Sequence, residues 1–154
     1  MPSTHTHVPA ADGTALLVRS WPSTPAWAHV LLVHGLGEHS GRYEHVGERW
    51  ASAGLDVHAY DHRGNGQSGG RRGHVDRWTQ LHDDLAGRLA DLRSRSGGRP
   101  IALYGHSMGG LIVAGFCLAA RPRPALVVLS APGLDSTLAA WKKTLAALLG
   151  RLAP

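Results

Sequence analysis

The sequence predicts an α/β fold in which a mostly parallel β-sheet carries helices on both faces. Two observations support this class. Short, almost uninterrupted apolar segments recur along the chain, as is typical of strands that are buried on both faces. Segments with apolar residues at helical spacing alternate with them, and glycine or proline separates the two kinds of segment. This alternation implies a parallel sheet that binds ligands at the carboxyl ends of its strands.

Six strands are predicted, at residues 4–10, 14–21, 29–33, 55–60, 101–104 and 125–130. The first two form a hairpin, because Asp12-Gly13 between them supplies the positive φ that tight hairpin turns need. Each later strand follows a predicted helix or a proline-containing segment. We therefore expect an antiparallel start to the sheet and parallel strands after it.

Four helices are predicted, at residues 42–53, 78–95, 109–120 and 134–152. The second has the clearest period, and its apolar face consists of Leu81, Leu85, Leu89 and Leu92. Gly54 is expected to end the first helix, since glycine adopts the left-handed conformation that commonly follows a helix.

The pentapeptide Gly105-His106-Ser107-Met108-Gly109 joins the fifth predicted strand to the third predicted helix. A serine between two glycines at such a junction is typical of a nucleophile elbow, in which a strained backbone exposes the serine hydroxyl. Small residues are needed there because the strand and the helix approach each other closely. The pattern predicts Ser107 as the nucleophile of a serine hydrolase; the alternative is an ordinary glycine-rich turn.

Composition argues against nucleic-acid and metal-binding functions. The net charge is +5, but the arginines are spread along the chain. The one local cluster, formed by Arg63, Arg71 and Arg72, is interpreted as a solvated loop without the aromatic residues that stack on bases. The eleven histidines show no metal-ligand spacing, so no metal site is predicted.

No targeting signal is recognised in the sequence. No apolar run approaches the roughly 20 residues of a membrane-spanning helix, and the first residues lack the pattern of a secretory leader. The single cysteine, Cys117, cannot form a disulfide within the chain. We expect a cytoplasmic protein.

Three sequence blocks carry a family resemblance. They are His34-Gly35-Leu36-Gly37-Glu38-His39-Ser40-Gly41-Arg42-Tyr43, then Asp61-His62-Arg63-Gly64-Asn65-Gly66-Gln67-Ser68, and then residues 105–110. In this order they resemble the monoacylglycerol lipases and related lysophospholipases of the α/β-hydrolase superfamily, of the serine aminopeptidase S33 type. The resemblance spans nearly the whole chain and implies the α/β-hydrolase fold.

The resemblance also implies roles for individual residues. Ser107 would attack the acyl carbonyl and become acylated, and the backbone N–H groups of Leu36 and Met108 would form the oxyanion hole. His34 would brace the oxyanion loop. Asp61 resembles the turn-forming aspartate of the family and is assigned no catalytic role. No metal or organic cofactor is implied.

The acid and the histidine of a catalytic triad are not recognised in the chain. In α/β-hydrolases both follow the nucleophile, whereas here no histidine and only one acidic residue, Asp135, follow Ser107. His106 belongs to the elbow turn and is expected to point away from the hydroxyl. The chain is therefore interpreted as one partial domain over residues 1–154, truncated after the sixth strand and the first cap helix, with both triad partners beyond residue 154.

The last segment resembles the start of a lipase cap. Residues 1–133 would form the N-terminal half of the core, and residues 134–154 would begin the cap, whose apolar face would pack on further cap elements or contact acyl chains and a membrane surface. The sixth strand would be left as an exposed edge, which predicts self-association.

Several functions are compatible with these motifs. The chain is interpreted as part of an ester hydrolase that acts on glycerol or lysolipid monoesters; thioesterases, carboxylesterases and serine aminopeptidases share the same motifs. Haloalkane dehalogenases and epoxide hydrolases are disfavoured, since they carry aspartate at the position of Ser107. The alternatives from another class are an inactive fragment or an interaction module, and a second polypeptide could also supply the missing residues.

Overall fold

A computed structural model of the chain describes residues 2–119 and 121–134. Among these residues, six strands lie in one sheet, and three α-helices pack on it. The strands are β1 (Thr4–Pro9), β2 (Ala15–Trp21), β3 (Ala28–Val33), β4 (Leu55–Tyr60), β5 (Ile101–His106) and β6 (Leu126–Ser130). The helices are α1 (Glu44–Ser52), α2 (Thr79–Arg95) and α3 (Met108–Leu118), and a 3-10 turn over Ser40–Tyr43 precedes α1.

The sheet is mixed and mostly parallel, as the sequence predicts. Its strand order is β1-β2-β4-β3-β5-β6, with antiparallel pairing of β1 with β2 and of β2 with β4. The other three pairs, β4 with β3, β3 with β5 and β5 with β6, are parallel. The hairpin between β1 and β2 turns at Gly13, whose φ is 85°. The strands β3, β4, β5 and β6 therefore have their carboxyl ends at one edge of the sheet.

Helices cover both faces of this sheet because strand side chains alternate between the faces. On one face, α1 packs over a buried cluster of Trp21, Val30, Leu32, Tyr43, Val57 and Ala59. On the other face, α2 and α3 contribute Leu81, Leu85, Leu89, Leu92, Ile112, Val113 and Phe116 to a larger cluster. The four leucines of α2 thus occupy the core position that their spacing predicts.

Most element boundaries differ from the prediction by one or two residues, and three of these differences lie beside the site. The expected helix at 42–53 begins as a 3-10 turn at Ser40 and becomes α-helical at Glu44. The strand expected at 101–104 continues to His106, because the backbone pairing with β6 extends from Ala102 to His106. The helix expected at 109–120 begins at Met108, directly after the elbow serine.

Arg63 is not solvated, in contrast to the prediction for its loop. Its side chain is buried, and Nε and Nη2 donate to the two carboxylate oxygens of Asp84 over 2.8 and 2.7 Å. Nη1 donates to Asp12 over 2.7 Å. Both carboxylates come from distant parts of the sequence, which a local pattern of basic residues does not reveal. The neighbouring Arg71 and Arg72 are exposed, as expected.

The strand β6 forms one edge of the described sheet. Between 37% and 58% of each residue from Leu126 to Leu129 is exposed, although all four are apolar. This matches the predicted exposed edge. Within the described residues, no helix is long and apolar enough to cross a membrane. The helix expected at 134–152, and with it the predicted start of a cap, lies outside the described residues except for Leu134.

Candidate active site

The nucleophile elbow lies between β5 and α3. Ser107 has φ 52° and ψ −117°, a strained conformation for a residue with a side chain. Neighbouring backbone holds it there: the Ser107 N–H donates to Ser130 O over 2.9 Å, and Ser107 O accepts from Gly133 N–H over 3.1 Å. The half-buried Ser107 is therefore fixed at the carboxyl edge of the sheet, where ligands of such sheets bind.

The glycines of the elbow have a packing reason. A Cβ on Gly105 would come within 2.5 Å of Gly109 O, because the helix turns directly over the strand. A Cβ on Gly109 would collide with the Val33 carbonyl oxygen of β3. The elbow is thus possible only with hydrogen in place of a side chain at both positions, as the motif predicts.

The loop after β3 lies against Ser107. A Cβ on Gly35 would stand 3.2 Å from the Ser107 Cβ, so the backbone before Leu36 and the elbow are in close contact. Leu36 itself is 76% exposed, and its N–H has no acceptor within the described part of the chain. Met108 is the first residue of α3, where an N–H has no partner in its own helix. The structure brings together the two segments predicted to form an oxyanion hole.

His34 and His62 support this loop through hydrogen bonds. His34 Nδ1–H donates to Gly35 O over 2.8 Å, and His34 Nε2 accepts from the His62 N–H over 2.9 Å. His62 Nε2–H returns a hydrogen bond to His34 O over 2.9 Å. Burial lowers the pKa of His34 and takes the pKa of His62 well below its ordinary value. Both rings are therefore neutral supports, which agrees with the brace predicted for His34.

Glu38 orients the same loop, a role that the sequence pattern alone did not predict. Its Oε2 accepts from the Gly35 N–H over 2.9 Å and from the Tyr43 hydroxyl over 2.7 Å. Burial raises the pKa of Glu38, but these two hydrogen bonds, together with the nearby charges of Arg42 and His106, outweigh burial and the pKa lies below its usual range. An ionised carboxylate thus holds the peptide of Gly35. A carboxylate three residues after a glycine in a tight loop was the available signal.

Asp61 organises the loop after β4. Its Oδ1 accepts from the N–H and the hydroxyl of Ser40, over 2.7 and 2.6 Å, and its Oδ2 accepts from the Gln67 N–H over 2.8 Å. The residue is 1% exposed, and a Cβ on Gly66 would collide with its carboxylate. Both carboxylate oxygens of Asp61 are therefore hydrogen-bonded to loop residues. This agrees with the turn-forming role that the resemblance implies.

No general base contacts Ser107 within the described residues, since no side chain there hydrogen-bonds Ser107 Oγ. His106 Nδ1 instead lies 3.1 Å from Ser130 Oγ. The ring therefore points away from Ser107, as expected for a residue in this turn. The arrangement presents a serine hydroxyl beside backbone N–H groups, which suits attack on a carbonyl, but it requires a base from outside the described residues.

Comparison with known proteins identifies the family. The serine aminopeptidase S33 family matches residues 24–154. The chain belongs to this hydrolase family. A monoacylglycerol lipase of Mycolicibacterium smegmatis is 36% identical over 149 residues, which cover 92% of this chain and 52% of that protein. The chain thus spans about half the length of this relative.

Solved structures agree with this placement. The crystal structure of the Paleococcus ferrophilus monoacylglycerol lipase is 35% identical, with a TM-score of 0.74 over 90% of this chain and 52% of that one. The α/β hydrolase GrgF from Penicillium sp. sh18 superposes with a TM-score of 0.84 over 98% of this chain and 53% of its own, at 21% identity. The first confirms the resemblance to monoacylglycerol lipases, and the second supports the α/β-hydrolase fold.

Proposed function

We propose that Ser107 is the nucleophile of a serine ester hydrolase that acts on monoacylglycerols or lysophospholipids. The observation that carries this proposal is the strained elbow, which holds Ser107 against the loop of Gly35 and Leu36. A positive φ at a serine is costly, and such strain recurs at active sites, where it serves the mechanism. The monoacylglycerol lipases named above support monoacylglycerols as substrates, and lysophospholipids are added because the sequence motifs also resemble those of lysophospholipases.

The reaction proceeds through an acyl-serine. Ser107 Oγ attacks the ester carbonyl carbon and loses its proton to a general base, while the carbonyl oxygen becomes an oxyanion between the N–H groups of Leu36 and Met108. The carbon–oxygen bond to the glycerol then breaks, and the base returns the proton to the departing alkoxide. Water attacks the acyl-serine by the same route, releasing the fatty acid and restoring Ser107. No metal or organic cofactor takes part.

The base and its acidic partner come from outside the described residues. His106 is turned toward Ser130, and the rings of His34 and His62 are committed to the loop. No histidine follows Ser107 in the sequence. The 154-residue chain alone is therefore expected to turn over slowly or not at all. A second polypeptide, or a longer form of the protein, would provide the missing pair.

A second candidate function is a non-catalytic one. The same absence of a histidine after Ser107 favours an inactive fragment or an interaction module derived from such a hydrolase. The exposed apolar edge at β6 gives this alternative a surface for self-association.

The proposal for the hydrolase includes a cytoplasmic location. It also includes transient contact of the segment after residue 134 with a membrane surface.

Chemical rescue distinguishes the two candidates. Hydrolysis of a monoacylglycerol, a lysophospholipid and an aminoacyl anilide is followed with added imidazole, which can serve as the missing base. The hydrolase proposal predicts imidazole-dependent release of fatty acid that is lost in Ser107→Ala and retained in Ser130→Ala. Equal rates of fatty-acid release in Ser107→Ala and the unchanged chain would favour the non-catalytic function. Faster hydrolysis of the anilide than of the two esters would indicate a peptidase rather than an ester hydrolase.

A further inference from the structure

A buried polar cluster lies on the α2 and α3 side of the sheet, away from the elbow. It consists of His29 on β3 together with Asp56 and His58 on β4. His29 pairs with Asp56 in the parallel register of these strands, and His58 lies two residues further along the same face. His29 and His58 are each 5% exposed. A core position that holds two histidines and a carboxylate needs a physical reason, because unpaired polar groups are costly to bury.

The three side chains converge on one carboxylate oxygen. Asp56 Oδ2 lies 3.0 Å from His29 Nδ1 and 3.0 Å from His58 Nε2. The ring centroids of the two histidines are 6.2 Å apart, and one ligand atom of each of the three residues lies within 4.8 Å of the others. Two imidazoles and one carboxylate are a donor set that Zn²⁺ accepts readily.

Hydrogen bonds account for only part of this cluster, since His58 Nε2 hydrogen-bonds Asp56 Oδ2 over 3.0 Å and His29 makes no such bond within the described residues. Within the described residues, neither ring nitrogen of His29 has a hydrogen-bond partner, although both are buried. The contact of His29 with Asp56 is short, but its angle does not suit an N–H donor. A hydrogen bond requires the proton near the nitrogen–oxygen line, whereas a metal ion stands off that line, between its ligands.

We propose that His29, Asp56 and His58 bind a divalent transition-metal ion, best fitted by Zn²⁺, that joins β3 to β4. Tetrahedral Zn²⁺ with bonds of about 2.0–2.1 Å separates its ligand atoms by about 3.4 Å, so the observed 3.0 Å contacts need only a small outward movement. Water completes the coordination. Since 21% of the Asp56 side chain is exposed, solvent reaches the site at this residue.

A neighbouring serine supports the ligand His58. Ser20 Oγ on β2 lies 3.2 Å from His58 Nδ1. When Nδ1–H donates to this hydroxyl, the Nε2 lone pair faces the Asp56 carboxylate, and a cation between them removes the repulsion. Metal-bound histidines commonly donate their other ring N–H in this way, which fixes the tautomer. The ion would thus tie three adjacent strands together, since β4 lies between β2 and β3.

The three ligands do not all lie at short spacing in the sequence, so no sequence motif indicates this metal site. His29 is far from Asp56 and His58 in sequence, and only the pairing of β3 with β4 places them together. The cluster lies near the start of β3, whereas Ser107 lies at the carboxyl edge of the sheet. The ion therefore has a structural role that is independent of the proposed hydrolysis.

Metal binding by the 154-residue chain tests the proposal. The chain is stripped with a chelator, and Zn²⁺ is titrated in competition with a chromophoric chelator. We expect one tightly bound ion per chain and a higher melting temperature in its presence. Co²⁺ bound in place of Zn²⁺ should give the strong visible absorption of a four-coordinate site. Asp56→Asn and His58→Gln should weaken binding at least about 100-fold, and Ser20→Ala about 10-fold.

Matched controls separate this site from adventitious binding by surface histidines. The double variant His5→Gln and His7→Gln removes two exposed histidines of β1 and should leave the tight site intact. His29→Leu should lose tight binding, and because it removes two buried ring nitrogens that have no hydrogen-bond partner within the described residues, the metal-free variant should still melt cooperatively. Absence of a stoichiometric site, or unchanged Zn²⁺ affinity in His58→Gln and Asp56→Asn, would overturn the proposal. Loss of the site in the β1 variant alone would also overturn it.

Discussion

The Cβ of Ser107 lies 3.2 Å from the position that a Cβ on Gly35 would occupy. The same added Cβ would stand 3.0 Å from Glu38 Oε2, the atom that holds the Gly35 N–H. Gly35 thus sits between the proposed nucleophile and the carboxylate that orients the oxyanion loop. The geometry of the site depends on this one residue having no side chain.

Gly35→Ala should therefore impair the proposed chemistry more than it affects folding. The added methyl displaces the loop or the serine by a few tenths of an ångström, and small misplacements at a reacting centre cost up to about 100-fold in rate. With imidazole present as the base, we expect labelling of Ser107 by a fluorophosphonate to slow by about 10- to 100-fold. Gly87→Ala is the matched control, because a Cβ there meets nothing within 4 Å and residue 87 lies inside α2. It should leave labelling unchanged and stabilise the chain by about 0.5–1 kcal/mol.

Removal of the Arg63 side chain should strongly destabilise the fold. Only 2% of the Asp84 side chain is exposed, so Arg63→Met leaves a buried carboxylate without its partner, at a cost of about 3–5 kcal/mol. Arg95→Met breaks an exposed pair with Asp91 one helical turn away and should cost only about 0.3–0.5 kcal/mol. Urea unfolding of both variants measures the difference. Similar losses in the two would contradict the buried role of Arg63.

Stability should fall as the solution becomes mildly acidic. Burial lowers the pKa of His34 and of His62, so below about pH 6.5 the unfolded chain binds protons that the folded chain does not. Their contribution is complete above this pH and is lost as the pH falls toward the folded pKa. The free energy of unfolding should drop by up to about 1.4 kcal/mol per pH unit for each histidine.

Urea titrations between pH 7.5 and pH 5.5 measure this slope. His62→Gln should reduce this slope by the amount that corresponds to about one bound proton. His45→Gln changes an exposed histidine of α1 and controls for the substitution itself. A slope that is unaffected by His62→Gln would show that this ring is not held neutral in the folded state.

Much of the fold follows from local sequence pattern. Apolar runs place β3, β4 and β6, and the leucine period places α2, because burial of a continuous face dominates both choices. Element ends are less predictable. The pairing of His106 with Ser130 extends β5 into the elbow motif, and this depends on a strand some twenty residues away. The start of α1 as a 3-10 turn depends likewise on Asp61, which binds the Ser40 N–H.

In the candidate site, too, some features follow from local sequence and others depend on distant segments. Ser107, Leu36 and Met108 can be proposed from the sequence because the backbone positions that these roles need leave a glycine pattern there. The roles of Glu38, Arg63 and the cluster of His29, Asp56 and His58 depend on which strands and loops become neighbours. Arg63, for example, is buried only because Asp12 and Asp84 approach it from distant segments. No short window of sequence contains that information.

The exposed edge at β6 should promote self-association. Val128 is 40% exposed on this strand, and Val128→Lys places a charge on an edge that could otherwise pair with a second copy. We expect the dissociation constant of any dimer to rise by about tenfold or more, which corresponds to about 1.4 kcal/mol. Sedimentation equilibrium measures it, with Thr6→Lys on the exposed strand β1 as control. Equal association in both variants would place the interface elsewhere.

The most direct test of the central claim is the site at which a fluorophosphonate probe reacts, determined by mass spectrometry with imidazole present as the base. The account predicts a single adduct on Ser107 that disappears in Ser107→Ala and persists in Ser130→Ala. Labelling that survives Ser107→Ala, or a complete lack of labelling at Ser107 in the folded chain, would contradict the claim that this elbow presents a nucleophile.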